Sequence, residues 1–323
     1  MVLHAYLNAG TDTQAVPSLR EVDLYENFQE IREAARNVSD ARVSIPLGHD
    51  PSSLEALITA REEGLASGVV VGSSAKVRES LKELGLKLPG DIEIVECEDP
   101  AEAALQAVAL VSSGEATILM KGMIKTSIFQ KAILDREKGL RTGRILSHVA
   151  VVHVPLQDRL VAISDGGMNI RPDEEAVRQI ARNAAGVILS LGADRARVAL
   201  LAAIEVPNEK MPETILFSKI ADLGIEGLDV AGPMAVDGAM DPEAAAIKRM
   251  SGEVPGRANV LITPDIACGN IFAKAFMYMT SAGVGGLIAG AAAPVVMLSR
   301  SDKAETKLNS LALGVVVSGG ENG

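Results

Sequence analysis

The chain has 323 residues, 48% of them hydrophobic but only 2% aromatic, with no Trp; it is long enough for two domains of ordinary size, with a core of Ala, Val, Ile and Leu, as in buried parallel sheets flanked by helices. A formal net charge of −11 argues against non-specific nucleic-acid binding and against an anionic membrane surface, so any anionic ligand must be held by a few local cations. Cys97 and Cys268 give neither a disulfide framework nor a metal-ligand spacing, no basic-then-apolar signal pattern opens the chain, and the longest apolar run, Gly283 to Leu298, is broken by glycines and Pro294; the expectation is a soluble, cytoplasmic protein.

Residues 1–23 carry few periodic signals and read as an arm. A helix from about Leu24 to Asn37 follows, with Phe28, Ile31 and Ala35 on one face. Strands and helices then alternate. Val43 to His49, Gly68 to Ser73, Ile92 to Cys97 and Ala116 to Gly122 read as buried strands. Helices fall between them: one from Pro51, one carrying Val77, Leu81 and Leu84, and one opened by Asp99 and Pro100. Leu146 to Pro155 and Leu160 to Gly167 lie too close together for a crossover and must pair antiparallel. Beyond them come a helix from Pro172, a strand from Arg197 to Glu205, a helix from Pro212 to Leu223, the stretch GLDVAGPMAVD and a helix from Pro242. Strands at Asn259 to Asp265 and Gly285 to Gly290 bracket a helix from about Asn270 to Thr280. A last strand, Val295 to Leu298, leads through Ser299-Arg300-Ser301-Asp302 into a helix with Leu308, Leu311, Ala312 and Val315 on one face.

This pattern predicts an α/β protein with parallel sheets and right-handed crossovers. The turn at Leu156-Gln157-Asp158 and the stretch Ala291 to Pro294 are the candidate boundaries. They give a discontinuous first domain of 1–155 plus 292–323 and a second of 156–291.

The chain holds no G-x-G-x-x-G after a strand, no G-x-x-x-x-G-K-[ST], no H-E-x-x-H and no G-x-S-x-G. His4, His49, His148 and His153 form no ligand spacing, and a lone Cys268 is more often inert than nucleophilic. Four polar stretches remain near strand ends: Lys121-Gly122 with Lys125 to Ser127, Arg141-Thr142-Gly143-Arg144 followed by Ser147-His148, Pro264-Asp265 to Gly269-Asn270, and Ser299-Arg300. Taken singly, each is a capped helix start or a solvated turn. Together, at the carboxyl ends of strands where open α/β sheets bind ligands, they suggest a cleft for an anion. Phosphate suits paired guanidinium groups, which can bind it bidentately.

The segments MKGMIKTSIFQKAI, GLRTGRILSHVAV, SDGGMNIRP, AIEVPNEKMPET, AGPMAVDGAM, ITPDIACGNIFAKA and LSRSDKAETKLNSLALG, in that order, resemble the phosphate acetyl/butyryltransferase family from about Glu26 to Val317. The P-D-x-x-x-G-N and S-R pieces are similar to the whole family, and the MKG, LRTGR-LSH and AETKLNS pieces resemble the butyryl branch more than the acetyl branch.

The resemblance implies reversible acyl transfer from acyl-CoA to inorganic phosphate, without a permanently bound cofactor or metal. It also implies two α/β domains of the isocitrate/isopropylmalate dehydrogenase type around a cleft, in a homodimer or larger homo-oligomer. Arg300 and Arg141 would then hold phosphate, and Ser299 would hydrogen-bond the thiol sulfur or reacting carbonyl. Lys121, Gly122, Thr142, Gly143, Arg144, His148, Asp265, Gly269 and Asn270 would line the substrate site. The acetyl branch carries an aspartate, the supposed thiol base, where this chain has Thr306. Glu305 is the favoured substitute, ahead of Asp302, and a cationic site that lowers the thiol pKa is the alternative. Two other functions stay open. One is an NAD- and metal-dependent decarboxylating hydroxyacid dehydrogenase of the same fold, although no set of clustered aspartates matches it. The other is a CoA-binding homologue without catalysis.

Overall fold

The structure, a computed structural model, describes residues 25–297 and 302–320. The arm expected over 1–23 and the residues Leu298, Ser299, Arg300 and Ser301 lie outside the described residues. The chain runs α1 (Phe28–Arg36), β1 (Arg42–Pro46), α2 (Pro51–Glu62), β2 (Ser67–Gly72), α3 (Ser74–Leu84), β3 (Ile92–Glu96), α4 (Pro100–Ser112), β4 (Ile118–Met120) and α5 (Thr126–Ile133). It continues with β5 (Ser147–Val154), β6 (Arg159–Ser164), α6 (Glu174–Ser190), β7 (Arg197–Leu201), α7 (Pro212–Leu223), β8 (Asp229–Met234) and the short α8 (Val236–Met240) and α9 (Pro242–Ile247). Last come β9 (Val260–Ile262), α10 (Ile266–Met279), β10 (Val284–Ala289), β11 (Val295–Val296) and α11 (Ala304–Gly320).

Side-chain caps set many of the helix starts. Asn27, Asp50, Asp99, Asp173, Asp241 and Asp265 each accept a hydrogen bond from a first-turn N–H. Pro51, Pro100 and Pro242 occupy the first helical turn, where a missing N–H costs nothing.

Among the described residues the strands form one mixed sheet of eleven, in the order β3-β2-β1-β4-β11-β10-β5-β6-β9-β7-β8. Pairings are parallel out to each edge, while β11–β10, β10–β5 and β5–β6 are antiparallel. In place of two separate sheets, the chain thus builds one, stitched through its centre by the β10–β5–β6 meander. The residues expected to begin the second domain, 156–158, form the turn of the β5–β6 hairpin.

Helices cover both faces. Along β1, Val43 and Ile45 pack with α1, α2 and α11. Ser44, pointing the other way, is fully buried and donates to the Ala107 carbonyl of α4 at 2.9 Å.

The polar stretch from Lys121 leads into α5, which begins at Thr126 because Phe129, Ala132 and Ile133, at helical spacing, are buried. One element departs from the sequence reading. α10 begins at Ile266 rather than near Asn270, because Asp265 caps it by accepting from the Cys268 N–H at 2.8 Å.

Candidate active site

The antiparallel β5–β10 pair is the floor of the site. His148 pairs with Ile288, and Ala150 with Gly286. Side chains alternate across a strand, so His148 and Ala150 share one face of β5, as Gly286 and Ile288 share one face of β10. Two cavities lie along this face. The first, about 240 Å³, is walled by α10 through Asn270, Lys274 and Met277, and by Asp302, Thr306 and Ser310 at α11. The second, about 420 Å³, is lined by Arg141, Gly143, Arg144, Gln130, Met168 and Asn169. They adjoin along three segments. Leu146 lines one and His148 the other; Gly290 and Ile288 divide in the same way, as do Met168-Asn169 and Gly166-Gly167.

Glycine decides where the His148 ring can sit. A Cβ on Gly167 would come within 3.0 Å of the His148 Cβ, and one on Gly286 within 3.1 Å of its Nε2. His148 Nδ1 is sealed from solvent and has no hydrogen-bond partner among the described residues. Burial pushes the imidazole pKa below its usual value, against the opposing pull of the Asp165 and Asp302 carboxylates. The ring is therefore neutral at neutral pH.

Asp165 holds the loop after β6. Its Oδ1 accepts the N–H groups of His148, Gly167 and Met168 at 3.1, 2.8 and 3.0 Å, and its Oδ2 accepts the Asn169 N–H at 3.0 Å and the Asn169 side-chain amide. The sequence reading passed over this residue; its signal was an Asp followed by Gly-Gly at the end of an apolar strand, the pattern of a side chain turned back on its own backbone. The start of α10 packs directly on this loop. A Cβ on Gly269 would come within 2.3 Å of the Asp165 carbonyl oxygen, and Asn270 donates its side-chain amide to the Gly166 carbonyl at 3.0 Å. Asp265 is a cap, its carboxyl pKa lowered chiefly by the Cys268 N–H and less by Arg171. The Cys268 thiol is pushed up by partial burial and by Asp265, which keeps it protonated and argues against a nucleophilic role.

α11 supplies the other wall. Ser310 Oγ accepts the Gly286 N–H at 2.9 Å and donates to the Thr306 carbonyl at 2.8 Å. Asn309 donates to the Val284 carbonyl at 3.2 Å and accepts from Arg32 on α1 at 2.7 and 3.0 Å. The polar residues of AETKLNS thus dock the helix on β10, which glycine lets approach: a Cβ on Gly285 would stand 3.0 Å from the Asn309 backbone.

The remaining predicted residues divide. Thr306 is buried and lines the first cavity together with Asp302, whereas Glu305, in the first turn of α11, is exposed and lines neither cavity. Of the two carboxylates considered as the base, Asp302 lines a cavity and Glu305 does not. Lys121 adjoins the first cavity, its N–H donating to the Val296 carbonyl at 2.9 Å next to lining Met297. Gly122 serves packing rather than ligand approach, since a Cβ there would fall 2.4 Å from the Pro46 carbonyl oxygen. Thr142 donates to the carbonyl of cavity-lining Gly290 at 2.6 Å and does not itself line either cavity. Ser299 and Arg300 lie outside the described residues, between lining Met297 and lining Asp302. Lys274, Met277 and Met297 were not singled out in the sequence, where they look like ordinary helix and strand-end positions.

Among the described residues, no group of three or more His, Cys, Asp or Glu stands close enough to hold a metal ion, and no helix is long and apolar enough to cross a membrane.

The family description "phosphate acetyl/butaryl transferase" matches residues 98–315. A phosphate butyryltransferase from Clostridium beijerinckii is 38% identical over 296 residues, which are 90% of this chain and 98% of the relative. A phosphate acetyltransferase from Rhizobium meliloti is also 38% identical, over 88% of this chain and 90% of the relative. The crystal structure of a branched-chain phosphotransacylase from Enterococcus faecalis superposes with a TM-score of 0.76 at 34% identity, covering 86% of this chain and 99% of that one.

Proposed function

We infer that this chain, which belongs to the phosphate acetyl/butaryl transferase family, is an acyltransferase. It moves a short acyl group reversibly between coenzyme A and inorganic phosphate, giving acyl phosphate and free CoA. The observation that carries the reading is the pair of adjoining cavities on the β5–β10 face, one lined by Arg141 and Arg144 and the other walled by Met277 and Met297.

The site residues are assigned as follows. Phosphate binds where the cavities adjoin, held by Arg141 and by Arg300, which precedes Asp302 by two positions. Two guanidinium groups suit a dianion because each offers paired donors in a fixed plane. Ser299 hydrogen-bonds the thioester. The acyl chain lies against Met277, Met297 and Ala273 in the first cavity. Attack is direct, within a ternary complex: holding two substrates together supplies much of the acceleration, and fixed donors meet the charge that develops on the carbonyl oxygen. No protein nucleophile is required. The chain acts as two domains, 1–155 with 292–323 and 156–291, with β5 of the first inserted between β10 and β6 of the second, and chains associate as a homodimer or larger homo-oligomer.

Thiol release from butyryl-CoA, measured with and without inorganic phosphate, tests the function. A phosphate-dependent increase is expected; no increase with acetyl-, propionyl-, butyryl- or isobutyryl-CoA would favour a binding protein without catalysis. Parallel rather than intersecting double-reciprocal lines would replace direct attack by a covalent intermediate.

A further inference from the structure

We propose that His148 is the proton acceptor for the CoA thiol, acting through Nε2 at the wall of the first cavity. The proposal rests on the acyltransferase reading and assigns the step that Thr306 leaves without a carboxylate.

Three observations carry it. His148 lines the same cavity as Thr306, the position at which a base would be sought. Nδ1 is sealed, whereas Nε2 lies beside cavity-lining Gly286, on which a Cβ would stand 3.1 Å from it, so Nε2 is the nitrogen placed at the cavity. The backbone of His148 is fixed on both sides: its N–H donates to Asp165 at 3.1 Å, and its carbonyl accepts from Ser164 Oγ at 2.8 Å. The ring, confined between Gly167 and Gly286, has little freedom to turn away.

Among the described residues, the charged groups facing the ring are Asp165 from the loop after β6, Asp302 from the start of α11 and Lys274 from α10, with Lys121 adjoining the same cavity, while β10 presents only glycine and apolar side chains. Asp165 is unsuited to be the base, since its two oxygens already accept four backbone N–H groups and the Asn169 amide. Asp302 stabilises the imidazolium formed on His148. Burial keeps the ring unprotonated at neutral pH, the form that accepts a proton.

From acyl phosphate to acyl-CoA, the S–H proton passes to Nε2 as the sulfur electron pair forms the C–S bond at the acyl carbon. The bond from that carbon to the phosphate oxygen breaks, and the imidazolium proton goes to the departing phosphate, returning the ring to neutral. In the other direction phosphate gives up a proton to Nε2, which delivers it to the leaving thiolate.

The test measures kcat for acyl-CoA formation from butyryl phosphate between pH 4.5 and 9.5 in wild type, His148→Gln and Asp302→Asn, with folding checked by circular dichroism. A free thiol of pKa about 8.5 is only roughly 3% thiolate at pH 7, so His148→Gln should lose at least about 30-fold there, recover about tenfold per pH unit and converge on wild type above pH 8.5. KM for CoA should change little. Asp302→Asn removes a negative charge that faces the ring, so the acidic limb of the profile should move to lower pH whatever its height. A folded His148→Gln with the wild-type rate and profile overturns the proposal, and so does a loss equal at every pH, which marks a positioning role. If His148→Gln does not fold, the Asp302→Asn limb decides: an unmoved limb, or one moved to higher pH, overturns it. Wild type without phosphate-dependent thiol release would sink the acyltransferase reading as well. Active wild type with an indifferent His148→Gln removes this proposal alone.

Discussion

Asn270 donates its side-chain amide to the Gly166 carbonyl at 3.0 Å, and a Cβ on Gly166 would stand 3.0 Å from the Asn270 backbone nitrogen. The start of α10 and the loop after β6 are therefore in backbone-to-backbone contact, with glycine on both sides. Gly269→Ala should cost about 1–3 kcal/mol or more, because the obstacle is the Asp165 carbonyl and not a side chain that can rotate away. Asn270→Ala should cost only about 1 kcal/mol, the worth of one hydrogen bond. Urea midpoints of the two variants check the order. A Gly269→Ala no less stable than Asn270→Ala would mean that the contact is slack.

Arg141 lines the second cavity as an exposed guanidinium. Arg141→Ala should raise the KM for phosphate about tenfold to a hundredfold, the loss of one charge-assisted interaction of about 1.5–3 kcal/mol, with little change in the KM for acyl-CoA. Arg141→Lys should recover only part of it, since an ammonium cannot bind two phosphate oxygens in one plane. Initial rates at varied phosphate decide. A rise confined to the KM for acyl-CoA would move Arg141 to the CoA side of the site. The same prediction applies to Arg300→Ala.

Glu305 stands exposed in the first turn of α11. Glu305→Gln should keep kcat within about twofold and lose at most a few tenths of a kcal/mol of helix-dipole stabilisation. A drop beyond tenfold in the thiol-consuming direction would restore this residue as the base.

The depressed His148 pKa is also a statement about stability. Unfolded, the imidazole titrates near pH 6.5; folded, burial holds it lower, so as the pH falls the unfolded chain takes up the proton first. This contribution is complete above about pH 6.5 and is lost below it, by up to about 1.4 kcal/mol per pH unit, until the folded ring itself titrates. His148→Gln should flatten that part of the curve. Urea midpoints measured between pH 5 and 7 provide the check, and an unchanged slope in the variant would show that the ring is solvated in the folded state.

Much of the fold was legible because the apolar runs were continuous and the caps strong. Asp99-Pro100 and Asp173 announced their helices, and the short spacing between the β5 and β6 runs required a hairpin. What was not legible depended on partners distant in sequence. Gly122 looks like a ligand-approach glycine until the Pro46 carbonyl is found against it. Asp265 and Gly269 look like parts of a cleft, and only the register of α10 against Asp165 shows one to be a cap and the other a close contact. The same holds for Asp302 and Glu305, three positions apart. Which of them faces the cavity depends on where α11 starts, and sequence spacing sets helix ends poorly.

The position of β11 in the sheet bears on how the chain reaches this structure. It lies between β4 and β10, pairing with both, yet it follows every other strand in the sequence. During synthesis β1 to β4 emerge first and can assemble, but the inner edge of β4 stays open until β5 to β10 have all been made. A nascent chain therefore carries an unpaired, apolar strand edge through most of its translation, the kind of edge that recruits other chains. The centre of the sheet is the last part to close, and substitutions at Val295 or Val296 should reduce the yield of folded protein more than they lower the stability of what does fold.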